Sequence, residues 1–198
     1  MEGRFFSKPD AQQQERVPPK QHLAKKFPVL TYGETPEIST DEWQLKIWGL
    51  GTTKTFRWAD IMAMPQQQFT ADFHCVTHWT KLDVKWTGIK ITDFMQQVKI
   101  DPKAVHVMAH CYGGYTTNLS LEDFLQEDNF LAHTLFDEPL PTDHGGPLRL
   151  VVPHLYAWKS AKWLNGFEFL DEEALGFWEV RGYHKRGEPW AEERYTDD

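Results

Sequence analysis

Cys75 lies in Phe73-His74-Cys75-Val76-Thr77-His78-Trp79, directly after a run that reads as a strand. A thiolate is a strong ligand for soft and high-valent metals, and neighbouring histidines favour the ionised form when they are charged. Placed at a strand end, the same residue also reads as a small core side chain. The second cysteine, in His110-Cys111-Tyr112, is equally compatible with packing. Together the His and Cys residues of the two segments raise a zinc reading. Structural zinc sites use C-x₂₋₄-C or H-x₃₋₅-H pairs, of which Cys75-x-x-His78 is one imperfect half. Adjacent His110 and Cys111 point to opposite faces of a strand. A thiol hydrolase pairing Cys75 with a distant His is open on composition alone.

A second constellation is Asp143-His144-Gly145-Gly146-Pro147-Leu148-Arg149-Leu150-Val151-Val152-Pro153. An arginine inside an apolar strand needs a partner, since an unpaired buried charge is very costly. That partner is either a structural carboxylate or an anionic ligand held by the guanidinium fork. Gly145-Gly146 allows backbone to approach a ligand closely. Downstream, Trp158-Lys159-Ser160-Ala161-Lys162-Trp163 sets two lysines and a hydroxyl between indoles, a mixture suited to a phosphate carrying a planar ring. It also reads as a solvated basic turn. There is no G-x-S-x-G elbow, P-loop or G-x-G-x-x-G.

The elements that must position these residues are short. Trp43, Leu45 and Ile47 alternate with Gln44 and Lys46, the period of a half-buried strand. A short helix fits Trp58 to Met64, and Phe69 to Val76 reads as a strand. Thr92 is placed to cap a helix carrying Phe94, Met95 and Val98. Val105 to Ala109 is a buried-type strand, and Ser120-Leu121-Glu122-Asp123 resembles a helix start. Leu148 to Val152 and Phe167 to Leu170 are further strands. With no regular βαβ beat and no repeat, the class is α+β, mostly β, with a mixed-sheet core in one domain over 27–198. Residues 1–26, rich in Gln, Lys, Arg and Pro around no hydrophobic period, read as a flexible arm.

Composition narrows the function. The 198 residues can bury one real core, about 70% of the unfolded surface. The net charge of −8 disfavours nucleic acid and anionic membrane. Two cysteines cannot build a disulfide framework. The first residues read as neither a secretory nor a twin-arginine signal, and no stretch reaches the roughly 20 apolar residues of a membrane span, so cytoplasm is expected. Nine Trp and thirteen Phe fill a core or wall a pocket for a flat ring.

Four segments, taken in order, resemble the molybdenum-cofactor domain of the sulfite oxidase family, especially its compact bacterial members and the related methionine-sulfoxide reductase catalytic subunits. They are Phe27-Pro28-Val29-Leu30-Thr31-Tyr32-Gly33, residues 73–79 followed by Trp86-Thr87-Gly88-Ile89, residues 145–162, and Gly176-Phe177-Trp178-Glu179-Val180-Arg181-Gly182-Tyr183-His184. The resemblance implies a mixed α+β core, and a cofactor of one molybdenum and one pterin with Cys75 as the protein ligand to the metal. It further implies that His144 and Arg149 hold the pterin and its phosphate, and that Ser160, Ala161 and Lys162 grip the cofactor through backbone and ammonium. Leu30 and Thr31 would touch the pterin, and His110 falls at a cofactor-contacting position.

Sulfite oxidases proper carry an arginine soon after the cysteine. Here Val76-Thr77-His78-Trp79 follows, with Lys81 later. The implied activity is a molybdopterin-dependent oxidoreductase transferring an oxygen atom to or from a small sulfite- or sulfoxide-like substrate. The substrate is expected near His78, Trp79 and Tyr112. With no Cys-x-x-Cys-His haem motif and no Fe–S cysteines, electrons would pass to or from an external carrier protein. The rival readings are a zinc-dependent or thiol hydrolase and a non-catalytic pterin-binding protein.

Overall fold

A computed structural model describes residues 5–197. The described residues form twelve strands and three short α-helices. These are β1 (Phe6–Ser7), β2 (His22–Ala24), β3 (Gln44–Gly49), β4 (Lys54–Arg57), α1 (Trp58–Met62), β5 (Gln67–Cys75), β6 (Trp79–Lys90), α2 (Ile91–Met95), β7 (His106–Cys111), β8 (Thr116–Ser120), α3 (Leu121–Phe124), β9 (Phe130–Leu135), β10 (Glu138–Pro139), β11 (Arg149–Val151) and β12 (Leu164–Leu170). They make two mixed sheets. The first runs β1-β2-β6-β9-β10, with β5 added to β6 and β11 added to β9. The second runs β4-β3-β12-β7-β8, with β3 and β12 parallel.

The alternation in β3 does what its period demands. Leu45 and Ile47 are buried, while Gln44 and Lys46 face solvent. They join Phe56, Phe94, Val107, Phe124, Phe167 and Phe169 in one core. A second core under the larger sheet gathers Phe73, Cys75, Trp79, Trp86, Phe130, Val151 and Trp158. Ser120 caps α3 as expected, its hydroxyl accepting from the Asp123 amide at 3.0 Å. At α2 the helix starts two residues earlier than the capping pattern suggests, with Lys90 rather than Thr92 at the N-cap and no side-chain cap. Glycine matters at Gly88, where a Cβ would lie 1.8 Å from the Leu131 carbonyl oxygen of the neighbouring strand.

The expectation of a flexible arm over residues 1–26 needs correction where the chain is described. β1 pairs with β2, and β2 lies parallel to the start of β6. Val17, Leu23 and Ala24 are buried. Arg16 donates to Asp72 at 2.6 Å and Asp83 at 2.7 Å. The segment shows no period because it contributes isolated apolar plugs and polar clamps. Such contacts depend on surfaces made elsewhere in the chain. Residues 1–4 lie outside the described part.

Candidate cofactor site

A cavity of about 550 Å³ opens beside the β5–β6 hairpin, between residues 27–34, the 143–149 segment, the 157–163 segment and the tail. Cys75 ends β5 opposite Trp79, so the hairpin turn presents its sulfur to the cavity. Burial pushes the thiol's pKa up, and a hydrogen bond with the Thr77 hydroxyl at 3.1 Å pulls the other way. A buried neutral thiol gives up its proton when a metal takes the sulfur.

Both ends of the chain brace this turn. Gln21 Nε2 donates to the Cys75 carbonyl at 3.1 Å, and the His22 amide donates to the His78 carbonyl at 2.9 Å. From the tail, Arg194 Nη1 donates to the Val76 carbonyl at 2.7 Å. These clamps span 54 to 118 residues of sequence, and nothing local announces them.

Arg149 faces the cavity from β11, with 3% of its surface exposed. Its guanidinium donates to the carbonyls of His144 (2.7 Å) and Ser160 (2.9 Å), and its carbon lies 5.2 Å from the Phe73 ring centroid. None of these partners is an anion. Burial pulls its pKa down to about 9, which still leaves it cationic at neutral pH. The partner that the sequence demands is therefore to be supplied by what enters the cavity.

His144 stacks on Phe27 with ring centroids 4.7 Å apart. Burial first, then the Arg149 charge, lower its pKa. Lys162 lies beside them. Its pKa is pulled down to about 8 by burial and then by Arg149. The stem of Lys162 passes Gly145, where a Cβ would stand 2.9 Å from Lys162 Cβ, so this glycine makes room for the lysine rather than for a ligand. The remaining wall is aromatic and includes Trp158, Trp163, Phe177, Trp178 and Tyr183.

Cys75, Leu30, Thr31, His144, Arg149, Ser160 and Lys162 thus share one cavity. Four expected residues stand outside its lining. His78 is exposed at φ 66°, with Nδ1 3.1 Å from the Lys20 carbonyl. Tyr112 accepts a hydrogen bond from the Gln44 amide at 2.9 Å, on the far side of the 112–115 turn. His110 packs at a tilt against Trp48 and pairs with Glu168 at 3.0 Å, along a separate groove that also takes in Tyr112. The pleat decides this, since β7 turns Cys111 into the core and His110 to the opposite face. Ala161 is core, and its carbonyl accepts from the Leu150 amide.

Lys159, read with Lys162 as a possible phosphate grip, is instead fully buried against Glu179 at 2.6 Å. Sequence reasoning assigned no role to Phe27, Thr77, Tyr115 or the tail aromatics, which also line the cavity. Phe27, Thr77 and the tail aromatics lie in segments that carry the family resemblance, and for Tyr115 the only signal was the aromatic content.

The donor set suits an anionic ring cofactor ligated through one sulfur. One thiol stands in the same cavity as a buried cation that lacks a counter-anion, between aromatic walls. For zinc the set is poor. Among the described residues no three His, Cys, Asp or Glu side chains are grouped to hold a metal ion. Cys75 has a hydroxyl rather than an imidazole as its hydrogen-bond partner, which leaves a thiol hydrolase without its base.

Comparison with known proteins agrees with this architecture. The chain belongs to the oxidoreductase molybdopterin binding domain family, matched over residues 32–178. It is similar to the uncharacterized oxidoreductase YuiH of Bacillus subtilis (strain 168), at 43% identity over 197 residues, covering 98% of this chain and 100% of that one. It is 27% identical to the mitochondrial sulfite oxidase of Drosophila melanogaster over 187 residues, which cover 79% of this chain and 32% of that protein. Its fold resembles that of the sulfane dehydrogenase SoxCD of Paracoccus pantotrophus, with a TM-score of 0.64 at 21% identity, over 70% of this chain and 40% of that one. The sulfite-oxidase-like mixed-sheet fold expected from the sequence is the fold observed.

Proposed function

We propose that this oxidoreductase holds one molybdenum and one pterin, with Cys75 as the protein ligand to the metal. We further propose that it transfers an oxygen atom to or from a small uncharged substrate of the sulfoxide or thioether type. The observation that carries the reading is Arg149, a buried guanidinium with only carbonyl partners, in the same cavity as a buried thiol. When bound, the cofactor would supply the two-electron chemistry. The chain's residues do the rest. Arg149 would neutralise the cofactor's anionic end, assisted by the Ser160 and His144 backbone that fixes its fork. Cys75 would lose its proton to bind the metal, with the Thr77 hydroxyl donating to the sulfur. Phe177, Trp178 and Tyr183 would exclude water and offer an apolar surface to the substrate.

The substrate class is supported by the cavity's charge. Arg149 and Lys162 are its only Arg or Lys residues among those described, and both lie at the His144 end. No further cation lines the walls for a sulfite dianion. Electrons would come from or go to a separate carrier protein. Among the described residues no helix is long and apolar enough to cross a membrane.

Protein from a molybdate-replete host should contain close to one molybdenum and one pterin per chain. It should reduce methyl phenyl sulfoxide with a reduced viologen dye and leave sulfite untouched with ferricyanide as acceptor. A metal-free or zinc-loaded chain overturns the cofactor assignment. Turnover of sulfite but not sulfoxide overturns the substrate class. Full occupancy with no turnover of either would support a pterin-carrying role.

A further inference from the structure

Residues 26–38, of which 27–34 line the cavity, make no backbone–backbone hydrogen bond among the described residues. They belong to no strand or helix. Yet residues 27–34 form a whole side of the cavity while 29–34 are exposed on their outer surface. A segment in extended contact that lacks backbone bonds has little local stability of its own and opens readily. What holds it is specific. Phe27 anchors one end, packed edge-on to Phe73 at 5.1 Å and stacked on His144. Tyr32 anchors the other against Phe177 at 5.2 Å and Trp178 at 5.6 Å. Between them stands a single ammonium.

Lys162 Nζ donates to the Leu30 carbonyl at 2.9 Å, to the Thr31 hydroxyl at 3.1 Å and to the Asp143 carbonyl at 2.9 Å. An ammonium has three hydrogens, and here each has a protein acceptor. Two of the three acceptors belong to the crossing segment. The aliphatic stem is fixed from below by its passage over Gly145 and by the Trp163 ring, whose centroid lies 4.5 Å from Nζ. The lysine resembles a peg set in the 143–163 platform with its head in the segment above.

We propose that residues 27–34 are a strap over the cofactor cavity and that Lys162 is its latch. Its ammonium is a positioning group that closes the strap, and Arg149 is the group that meets the anion. The inference rests on the proposed cofactor reading only for what the strap covers. The latch itself is a property of the chain without cofactor. Loading and loss of the cofactor then require Lys162 to release Leu30 and Thr31, so the strap sets the exchange rate.

The test is limited chymotrypsin digestion of the cofactor-free chain, read by mass spectrometry for cleavage after Leu30 and Tyr32. Charge-assisted hydrogen bonds are the strong ones, so Lys162→Met should raise the initial cleavage rate there tenfold or more. Lys162→Arg should return it to within about threefold of the parent, because a guanidinium keeps charge and donors. In the loaded enzyme Lys162→Met should speed cofactor release into a pterin-scavenging buffer by a similar factor. Thr31→Val removes one acceptor without disturbing the platform, and it should raise cleavage after Leu30 by about threefold. Unchanged cleavage in Lys162→Met overturns the latch, and so does unchanged cleavage in Thr31→Val should the methionine variant not fold. Faster cofactor loss with unchanged strap cleavage would assign Lys162 to the cofactor instead. A chain that never contains pterin overturns the cofactor reading, while the digestion still decides the strap.

Discussion

The ammonium of Lys159 meets the carboxylate of Glu179 at 2.6 Å, and neither side chain has any exposed surface. The pair ties the tail to the body of the domain. Glu179 Oε1 also accepts from Trp158 Nε1 at 3.0 Å and Thr117 Oγ1 at 3.1 Å, and Lys159 also donates to the Asn118 carbonyl at 2.7 Å. Burial pulls the lysine's pKa down and Glu179 pulls it back up. Trp158 and Trp178 line the cavity, so the ion pair supports the wall against which Tyr32 packs.

Breaking that pair should be expensive. Lys159→Met leaves a buried carboxylate without its cation, an effect of about 3–5 kcal/mol. Urea denaturation should show the single variant losing most of this, and Lys159→Met with Glu179→Gln recovering at least about 1 kcal/mol. A single variant as stable as the parent would mean that the pair does not brace the tail.

Arg149 should behave in the opposite way. In the cofactor-free chain its charge is buried without an anion, so Arg149→Met should leave thermal stability unchanged or raise it. The same variant should lower bound pterin at least tenfold when purified from a molybdate-replete host. Differential scanning fluorimetry and pterin fluorescence separate the two effects. A destabilised apo chain with normal pterin content would refute the anion-partner role.

The two cysteines should separate cleanly. Cys75→Ala should abolish dye-linked turnover while much of the pterin stays bound, because Arg149 and His144 are untouched. Cys111→Ala removes a core side chain 4% exposed and should cost on the order of 1 kcal/mol, with activity retained. His110→Ala should likewise leave pterin content within about twofold of the parent, since His110 faces Glu168 and Trp48.

Acid should act through Asp123. Burial alone would raise its pKa, but hydrogen bonds with His154, Arg186 and Ser120 outweigh it and hold the carboxyl well below the usual range. A depressed folded-state pKa contributes stability that is complete above the unfolded value near 4 and is lost as pH falls through the folded value. At pH 7, Asp123→Asn should therefore be less stable than the parent, by about 1–3 kcal/mol. The gap should shrink progressively below about pH 4. A constant gap down to pH 2, measured by urea titration, would exclude this carboxylate as the source.

Part of the cavity lining was legible in the sequence. The alternation of Trp43, Leu45 and Ile47 fixed a strand and its buried face, because a period of two is a local property. Cys75 at a strand end and Arg149 alone in an apolar run are anomalies against such a period, and both line the same cavity. The sequence did not decide which of two lysines three residues apart would reach the cavity, nor that His78, His110 and Tyr112 would turn away from it. Those outcomes depend on partners such as Glu179, Lys20, Glu168 and Gln44, which come from distant parts of the chain. Tertiary structure also decided that residues 6–24 and Arg194 clamp the cysteine turn, since a clamp has no period of its own. Local pattern reports which face of an element is buried, and long-range packing alone selects which buried or exposed group meets which partner.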